Sequence, residues 1–468
     1  MAGIFKAYDV RGIYPTELDE STARKIGQAF RKVLDADDLA NSNSVVVSRD
    51  MRPSSVPLSK ALIEGLTVAG LDVVDIGLAT TPMNYFAIGH LKTAGGVQVT
   101  ASHNPAQYNG LKFSKHEARP VSGDHGIALL ETCVKNNDLP ASTRPGTVSS
   151  ADVSADYAQH VLSFLRRPAG SPGSAGSPGS PGSDTARRLK VVVDASNGMA
   201  VVDRAIWDAL GLDLVPLYFE LDGSFPNHEA NPLKLENLRD LRAKVLEVGA
   251  DLGISCDGDF DRAAFIDEKG EPVGSDLTTA LIAGELLERE PGKHVTYDLR
   301  SSRAVAEWIR EHGGVPVRER VGHSFIKATM RRNAGIFGGE LAGHYYFRDN
   351  FYADCAILAV IEVLNLLWHS GKKMSELVAP LLRYAKSPET NFEVEDKAGK
   401  MRELADAYPD GEIDWMDGIT VQFPDWWFNV RPSNTEPLLR LVVEARTQGE
   451  LDRHFAELVA KIGHPVDH

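Results

Sequence analysis

Short apolar runs recur along the chain, each followed by a stretch with helical spacing and then by a second apolar run. Residues 44–50, Ser44-Val45-Val46-Val47-Ser48-Arg49-Asp50, read as a strand, 56–69 as a helix and 72–77 as another strand. The same order returns at 189–197, 201–210 and 213–217, and again at 293–300, 304–312 and 315–317. Strands alternating with helices require crossover connections and therefore mixed or largely parallel sheets. Three copies of the unit predict three similar mixed α/β domains in series.

Each copy continues with a small-residue turn and one more apolar strand. The first such strand, at 94–99, runs into Thr100-Ala101-Ser102-His103-Asn104, and Pro105 stops it. The second, at 249–256, runs into Asp257-Gly258-Asp259-Phe260-Asp261-Arg262. The third, at 334–339, runs into Glu340-Leu341-Ala342-Gly343-His344. Equivalent strand ends thus carry a hydroxyl, a carboxylate cluster and a Glu/His pair, at the edge where α/β sheets place their chemistry. Ahead of the repeats, residues 4–12 read as an extended segment entering a glycine turn at Gly12, with Tyr8 and Arg11 as candidate ligand contacts.

From about residue 390 the pattern changes to strands at 391–394, 418–423, 426–430 and 438–444 and an amphipathic helix at 450–462. This predicts a smaller α+β domain around the polar loop Arg431-Pro432-Ser433-Asn434-Thr435-Glu436-Pro437. The expected division is 1–160, 188–285, 286–385 and 386–468, with 161–187 as a linker or insertion. Its Pro/Gly/Ser run at 168–183 offers almost no side chain to bury.

Composition narrows the function. The 468 residues are 43% hydrophobic and 25% charged, as in a soluble globular protein, and the net charge is −15. That sign argues against nucleic-acid binding and against an anionic membrane surface, so an anionic substrate would need locally placed Arg and Lys. Three scattered cysteines, Cys133, Cys256 and Cys355, make neither a disulfide framework nor a zinc cluster. The N-terminal residues show no apolar core of signal-peptide length. The longest apolar stretch, 356–368, is broken by Glu362 and Asn365 and reads as a buried helix. A cytoplasmic protein is expected.

The chemistry follows from residue type and spacing. Asp257, Asp259 and Asp261 alternate, so three carboxylates can converge on one hard cation. Arg262 stands where a calcium EF-hand loop needs glycine, so that reading fails, and Mg²⁺ is expected if phosphate is present. Ser102 is delivered by its strand end into a tight loop, where a serine is a turn former or a reactive hydroxyl. A Ser-His-Asp hydrolase built on Ser102 and His103 lacks a G-x-S-x-G elbow. Arg431, Ser433, Asn434 and Thr435 combine a cation, hydroxyls and an amide suited to a phosphate. His323, in residues 322–327, is a substrate contact or a satisfied loop histidine. Lys112 follows Asn109-Gly110, a hairpin signal, and suits acid/base work if neighbours lower its pKa.

Taken together, residues 100–105, 257–262, 339–344 and 431–437 resemble, in order, the phosphoserine, metal, sugar and phosphate loops of the α-D-phosphohexomutases. The resemblance is to the bacterial phosphomannomutase/phosphoglucomutase branch and spans nearly the whole chain. The stretch Phe225-Pro226-Asn227-His228-Glu229-Ala230-Asn231-Pro232 is also similar to that branch. The resemblance implies three similar mixed α/β domains plus a smaller C-terminal α+β domain around a central cleft. It implies an isomerase that interconverts hexose 6-phosphate and hexose 1-phosphate, with mannose or glucose as the sugar. The route implied is a phosphoserine at Ser102 and a bound hexose 1,6-bisphosphate. Mg²⁺ would be held by Asp257, Asp259 and Asp261 with a phosphate oxygen on Ser102. Catalytic work would fall to Ser102, His103, Lys112 and Arg262. Tyr8, Arg11, Arg300, His323, Glu340, Leu341, Ala342, Gly343 and His344 would contact substrate. Arg300 stands where the family often has lysine. Ala342 stands where it usually has serine, removing one side-chain hydrogen bond to the sugar. Apolar Leu341 disfavours the alternative, a phosphoglucosamine mutase; a catalytically idle sugar-phosphate binding protein is a further alternative.

Overall fold

Valine-rich segments form the strands that the apolar runs predict, because β-branched side chains fit a sheet covered on both faces. Val45, Val46, Val47, Val191, Val192 and Val193 are all fully buried. The computed structural model describes residues 3–36, 42–123, 126–167, 188–433 and 438–466. The chain divides into a first unit, residues 1–275 with 342–377, and a second, residues 276–341 with 378–468. The low-complexity run at 168–183 lies outside the described residues.

The first unit contains two sheets. In one, Ser44–Arg49 runs parallel to both Asp72–Leu78 and Gly95–Val99. In the other, Lys190–Asp194 runs parallel to both Asp213–Leu217 and Leu252–Cys256. The second unit repeats the arrangement, with His294–Asp298 between Val315–Glu319 and Phe337–Gly339. One strand order appears three times, which is the repeat seen in the sequence. In both sheets of the first unit the strand that ends in polar residues is then paired antiparallel, Gly95–Val99 with Tyr108–Lys115 and Leu252–Cys256 with Ala263–Ile266. The second unit ends in an antiparallel sheet built on Ile419–Gln422, Trp426–Pro432, Leu438–Ala445 and Thr390–Glu393. Helix Gln448–Ile462 belongs to the same part of the chain and packs Leu451, Leu458 and Ile462 into its core.

Four expectations are corrected. Asn109-Gly110 is not a hairpin turn: it lies inside strand Tyr108–Lys115, opposite Val10–Ile13. Glycine is needed there because a Cβ at 110 would sit 2.5 Å from Val10 O and 2.7 Å from Thr100 O. Gly12 likewise belongs to strand Val10–Ile13 rather than to a turn. The helix expected at 201–210 opens as a 3-10 turn, Met199–Asp203, and becomes α-helical only over Arg204–Ala209. The adjacent β-branched Val201 and Val202 explain the delay. His323 is no loop residue; it opens helix His323–Asn333.

Helix Ala356–Ser370 is buried, as its apolar run predicts. Its two polar interruptions are satisfied internally. Arg166 donates to Glu362 at 2.9 Å, and Asn365 accepts from Arg166 N at 2.8 Å. Among the described residues no helix is long and apolar enough to cross a membrane.

Candidate active site

The first unit brings two strand ends together. Ser102 follows Gly95–Val99 in a turn that holds it at φ 51°, a left-handed backbone that a serine adopts at a cost. Its Oγ donates to Asp257 Oδ2 at 2.8 Å, across 155 positions of sequence. Asp257 opens a loop that curls back on itself, its Oδ1 accepting from the backbone N–H of Asp261 and of Arg262, each at 3.1 Å. Gly258 permits the approach, since a Cβ there would lie 2.3 Å from Ser102 O. Both Ser102 and Asp257 are buried.

The three aspartates converge as their alternation predicts. Asp257, Asp259 and Asp261 are all buried and offer carboxylate oxygens within 4.8 Å of one another. Lys112 donates to Asp259 at 2.6 Å and to Asp261 at 2.5 Å. Thr81 donates to Asp259 Oδ2 at 2.6 Å. Asp259 Oδ1 and Asp261 Oδ1 remain buried with no hydrogen-bond partner. Orphaned carboxylate oxygens in an all-oxygen, acidic setting fit a hard divalent cation.

The charges perturb one another. Burial, then Asp261, pushes the Asp257 carboxyl up to about 7. At Asp259 burial works the same way, but the Lys112 ammonium outweighs it and holds the carboxyl low. Burial tends to discharge Lys112, yet Asp259, Asp261 and Asp257 together hold its pKa well above the ordinary lysine value. The lowered pKa on which acid/base work by Lys112 depends is not found; its neighbours keep it charged. His103 is driven the other way, well below its usual value, first by burial and then by Arg262 and Arg11.

Cations and imidazoles complete the centre. Arg262 Nε lies 3.1 Å from Asp257 Oδ2, and its Nη2 reaches Ser102 Oγ at 3.2 Å and also meets His103 Nδ1. Arg11 bonds Asp9 at 2.5 Å and meets the Asn104 side chain. His344 is brought alongside by a β-bridge to Arg262, and its Nδ1 is 2.9 Å from Asp354 Oδ2. Tyr8 is half-buried in the same unit. The sequence reading missed Thr81 and Asp354; neither carries a local signal beyond its residue type.

The second unit holds its own charged group. Arg300 donates to Asp298 at 2.7 Å, and Leu341 N donates to the same carboxylate at 2.7 Å. Glu389, absent from the sequence reading, gathers three guanidinium groups: Arg431 at 2.7 Å, Arg300 at 3.3 Å and Arg440 at 3.8 Å. Burial opposes its charge, but those arginines hold its carboxyl below the usual value. Arg431 is buried with its Nε unpartnered. Glu340 is also buried in this unit, whereas Ala342, Gly343 and His344 belong to the first. Ser433 is half-buried and donates its N–H to Leu438 O at 2.8 Å. Asn434 and Thr435 lie outside the described residues.

Three β-α-β sheets of one strand order carry, at their strand ends, a hydroxyl and carboxylates in the first unit and arginines in the second, groups suited to phosphoryl transfer on an α/β scaffold. Similarity to known proteins takes this further. The phosphoglucomutase/phosphomannomutase descriptions match in order: α/β/α domain I over residues 2–141, domain II over 179–270, domain III over 274–384 and the C-terminal domain over 389–461. A protein of Xanthomonas campestris pv. campestris named for phosphohexose mutases is 40% identical over 96% of each chain. The phosphomannomutase of Escherichia coli K12 is 37% identical over 94% of each. A crystal structure of a phosphoglucomutase/phosphomannomutase family protein from Burkholderia thailandensis superposes with a TM-score of 0.87 at 34% identity, covering 99% of this chain and 98% of that one. The chain belongs to the phosphoglucomutase/phosphomannomutase family, whose members are intramolecular phosphotransferases.

Proposed function

We propose that the chain interconverts hexose 1-phosphates and hexose 6-phosphates by way of a phosphoryl group carried on Ser102. One observation carries this reading: the Ser102 hydroxyl meets the Asp257 carboxylate at 2.8 Å, with the Arg262 guanidinium against the same oxygen. Phosphoryl transfer needs in-line placement and stabilised charge more than covalent chemistry from the protein. The bond from phosphorus to Ser102 Oγ breaks as the bond to a sugar hydroxyl forms, and a base takes that hydroxyl's proton. The result is a hexose 1,6-bisphosphate. Its other phosphoryl group then returns to Ser102, which leaves the isomeric monophosphate.

In this reading Asp257, Asp259 and Asp261 would hold Mg²⁺ beside a phosphoryl group carried on Ser102. The ion, when bound, neutralises phosphoryl oxygens. Arg262 orients Ser102 Oγ. Charged Lys112 balances the aspartates, and the His344 imidazole, its Nδ1 on Asp354, is the proposed base for the sugar proton. Arg300 and Arg431, with Ser433, Asn434 and Thr435, take a phosphate. The unpartnered Nε of buried Arg431 supports an oxyanion there. Mannose and glucose phosphates are the proposed substrates, supported by the names of the relatives. Three free, buried cysteines suit a cytoplasmic setting.

The test is Ser102→Ala, assayed with mannose 1-phosphate and glucose 1-phosphate and weighed by intact mass. The variant is expected to lose both turnover and the covalent phosphate of the wild type. Near-normal turnover in the variant would refute the reading.

A further inference from the structure

Arg52 is among the largest fully buried side chains, at 1% exposure, and the proposed chemistry leaves it without a task. An arginine has five N–H donors. Four of those of Arg52 go to the carbonyls of one short segment. Nη2 bonds Ser102 O at 2.9 Å and Asn104 O at 2.6 Å, and Nη1 bonds Pro105 O at 2.8 Å and Tyr108 O at 3.0 Å. The fifth, on Nε, bonds Asp50 Oδ2 at 3.1 Å, and Asp50 is itself held by Ser55 Oγ at 2.5 Å. Every donor is spent, and four of the five acceptors belong to the turn that carries Ser102.

A second segment closes over the same guanidinium. The Phe225 ring centroid lies 4.9 Å from Arg52 Cζ. Gly223 packs so tightly that a Cβ there would sit 2.7 Å from Arg52 Cα. The stretch is anchored in turn, His228 on Asp194 at 2.9 Å and Asn227 on Asn197 at 2.8 Å. The similarity of residues 225–232 to one branch of the family acquires a physical sense here: the stretch roofs the arginine that grips the serine turn.

Burying a cation costs desolvation free energy that its hydrogen bonds only partly return, so stability alone is a poor reason for it. It does achieve something an apolar chain cannot. Ser102 sits at φ 51°, a conformation that persists only where its surroundings over-determine it. A bond to the carbonyl of Ser102 itself fixes the following peptide plane, and the Asn104, Pro105 and Tyr108 bonds fix the return of the turn. We infer that Arg52, roofed by Phe225, is the positioning residue that holds Ser102 in this backbone conformation and so aims its Oγ at Asp257 and Arg262. The inference rests on Ser102 being the phosphoryl carrier.

Arg52→Lys keeps the charge and the stem but places its donors on a single nitrogen that cannot span five acceptors. For a displaced reacting atom, kcat is expected to fall on the order of 100-fold while KM changes little. The comparison is made below the melting temperature of both proteins and normalised to folded material by near-ultraviolet circular dichroism. Phe225→Leu, which keeps every donor and removes the ring, is the second variant, and a fall in kcat of about 3-fold or more at unchanged KM is expected. If Arg52→Lys does not fold, Phe225→Leu decides alone. A lowered melting temperature with kcat per folded molecule unchanged would mean a merely structural arginine and would overturn the inference, as would wild-type kcat in Phe225→Leu. Ser102→Ala runs in parallel. Turnover lost in Ser102→Ala but intact in Arg52→Lys sinks this inference alone, whereas turnover intact in Ser102→Ala sinks the phosphoserine reading beneath it.

Discussion

Asp203 is the most exacting place to test the physical description. It closes the 3-10 turn Met199–Asp203, is 3% exposed, and keeps both carboxylate oxygens buried without a hydrogen-bond partner. Burial alone pushes its pKa from 3.8 to about 8. The unfolded chain therefore ionises this carboxyl near pH 4 while the folded chain keeps the proton. Its contribution to stability is whole below 3.8, declines as pH rises through the interval, and is lost above about 8. A difference of about 4 units, at 1.36 kcal/mol each, amounts to roughly 5 to 6 kcal/mol across the full interval. Asp203→Asn keeps the shape and cannot ionise. The variant should melt close to the wild type at pH 4.5 and above it at pH 8, with the gap widening steadily between. At on the order of 2 °C per kcal/mol the widening should be several degrees. Scanning calorimetry of both proteins at four or five pH values reads it directly. Curves that stay parallel across the range would show that Asp203 holds no proton in the folded chain.

Two further outcomes follow from the carboxylate centre. With Asp257 pushed up to about 7, an Mg²⁺ ion held by the trio as proposed would displace a proton below neutrality. Titration calorimetry in two buffers of different protonation enthalpy should give unequal heats at pH 6 and equal heats at pH 8.5, and equal heats at both would show that binding displaces no proton from Asp257. Gly258→Ala would force a methyl group to within 2.3 Å of Ser102 O, so the two loops must part. Turnover should drop on the order of 100-fold, and a normally active variant would show that their close approach is not required.

The strands were legible because parallel strands buried on both faces leave continuous valine runs, and because their polar ends interrupt those runs sharply. That was enough to read the repeat and to nominate Ser102 with Asp257, Asp259 and Asp261. Asn109-Gly110 misled because the dipeptide is common to hairpin turns and to crowded strand crossings; only the neighbouring carbonyls of Val10 and Thr100 decide between them. The charge of Lys112 was not legible because the direction of a pKa shift depends on which charges lie closest, and the two aspartates bonded to it are 147 and 149 positions away. Arg52 and Glu389 were missed for a related reason. Each looks like an ordinary surface charge in sequence, and its weight comes from partners gathered by the fold. One signal for Arg52 was present: Arg49-Asp50-Met51-Arg52 places charges directly beyond the end of a buried strand, where the same argument had picked out Ser102.

The two charged centres obey one rule with opposite sign. In the first unit carboxylates outnumber the cations bonded to them: Asp257, Asp259 and Asp261 share Lys112 and Arg262, and two buried acceptor oxygens are left over. In the second unit guanidinium groups outnumber the carboxylate they share, with Arg431, Arg300 and Arg440 on Glu389, and a buried donor on Arg431 is left over. Buried polar atoms without partners cost free energy, and where they face a cluster of unbalanced charge they suit a ligand that supplies the missing charge. Left-over acceptors ask for a cation and a left-over donor asks for an oxyanion. The internal partners do more than offset charge: Lys112 and Glu389 keep each cluster assembled before any ligand arrives, so that binding adds the final interactions without first having to organise the site.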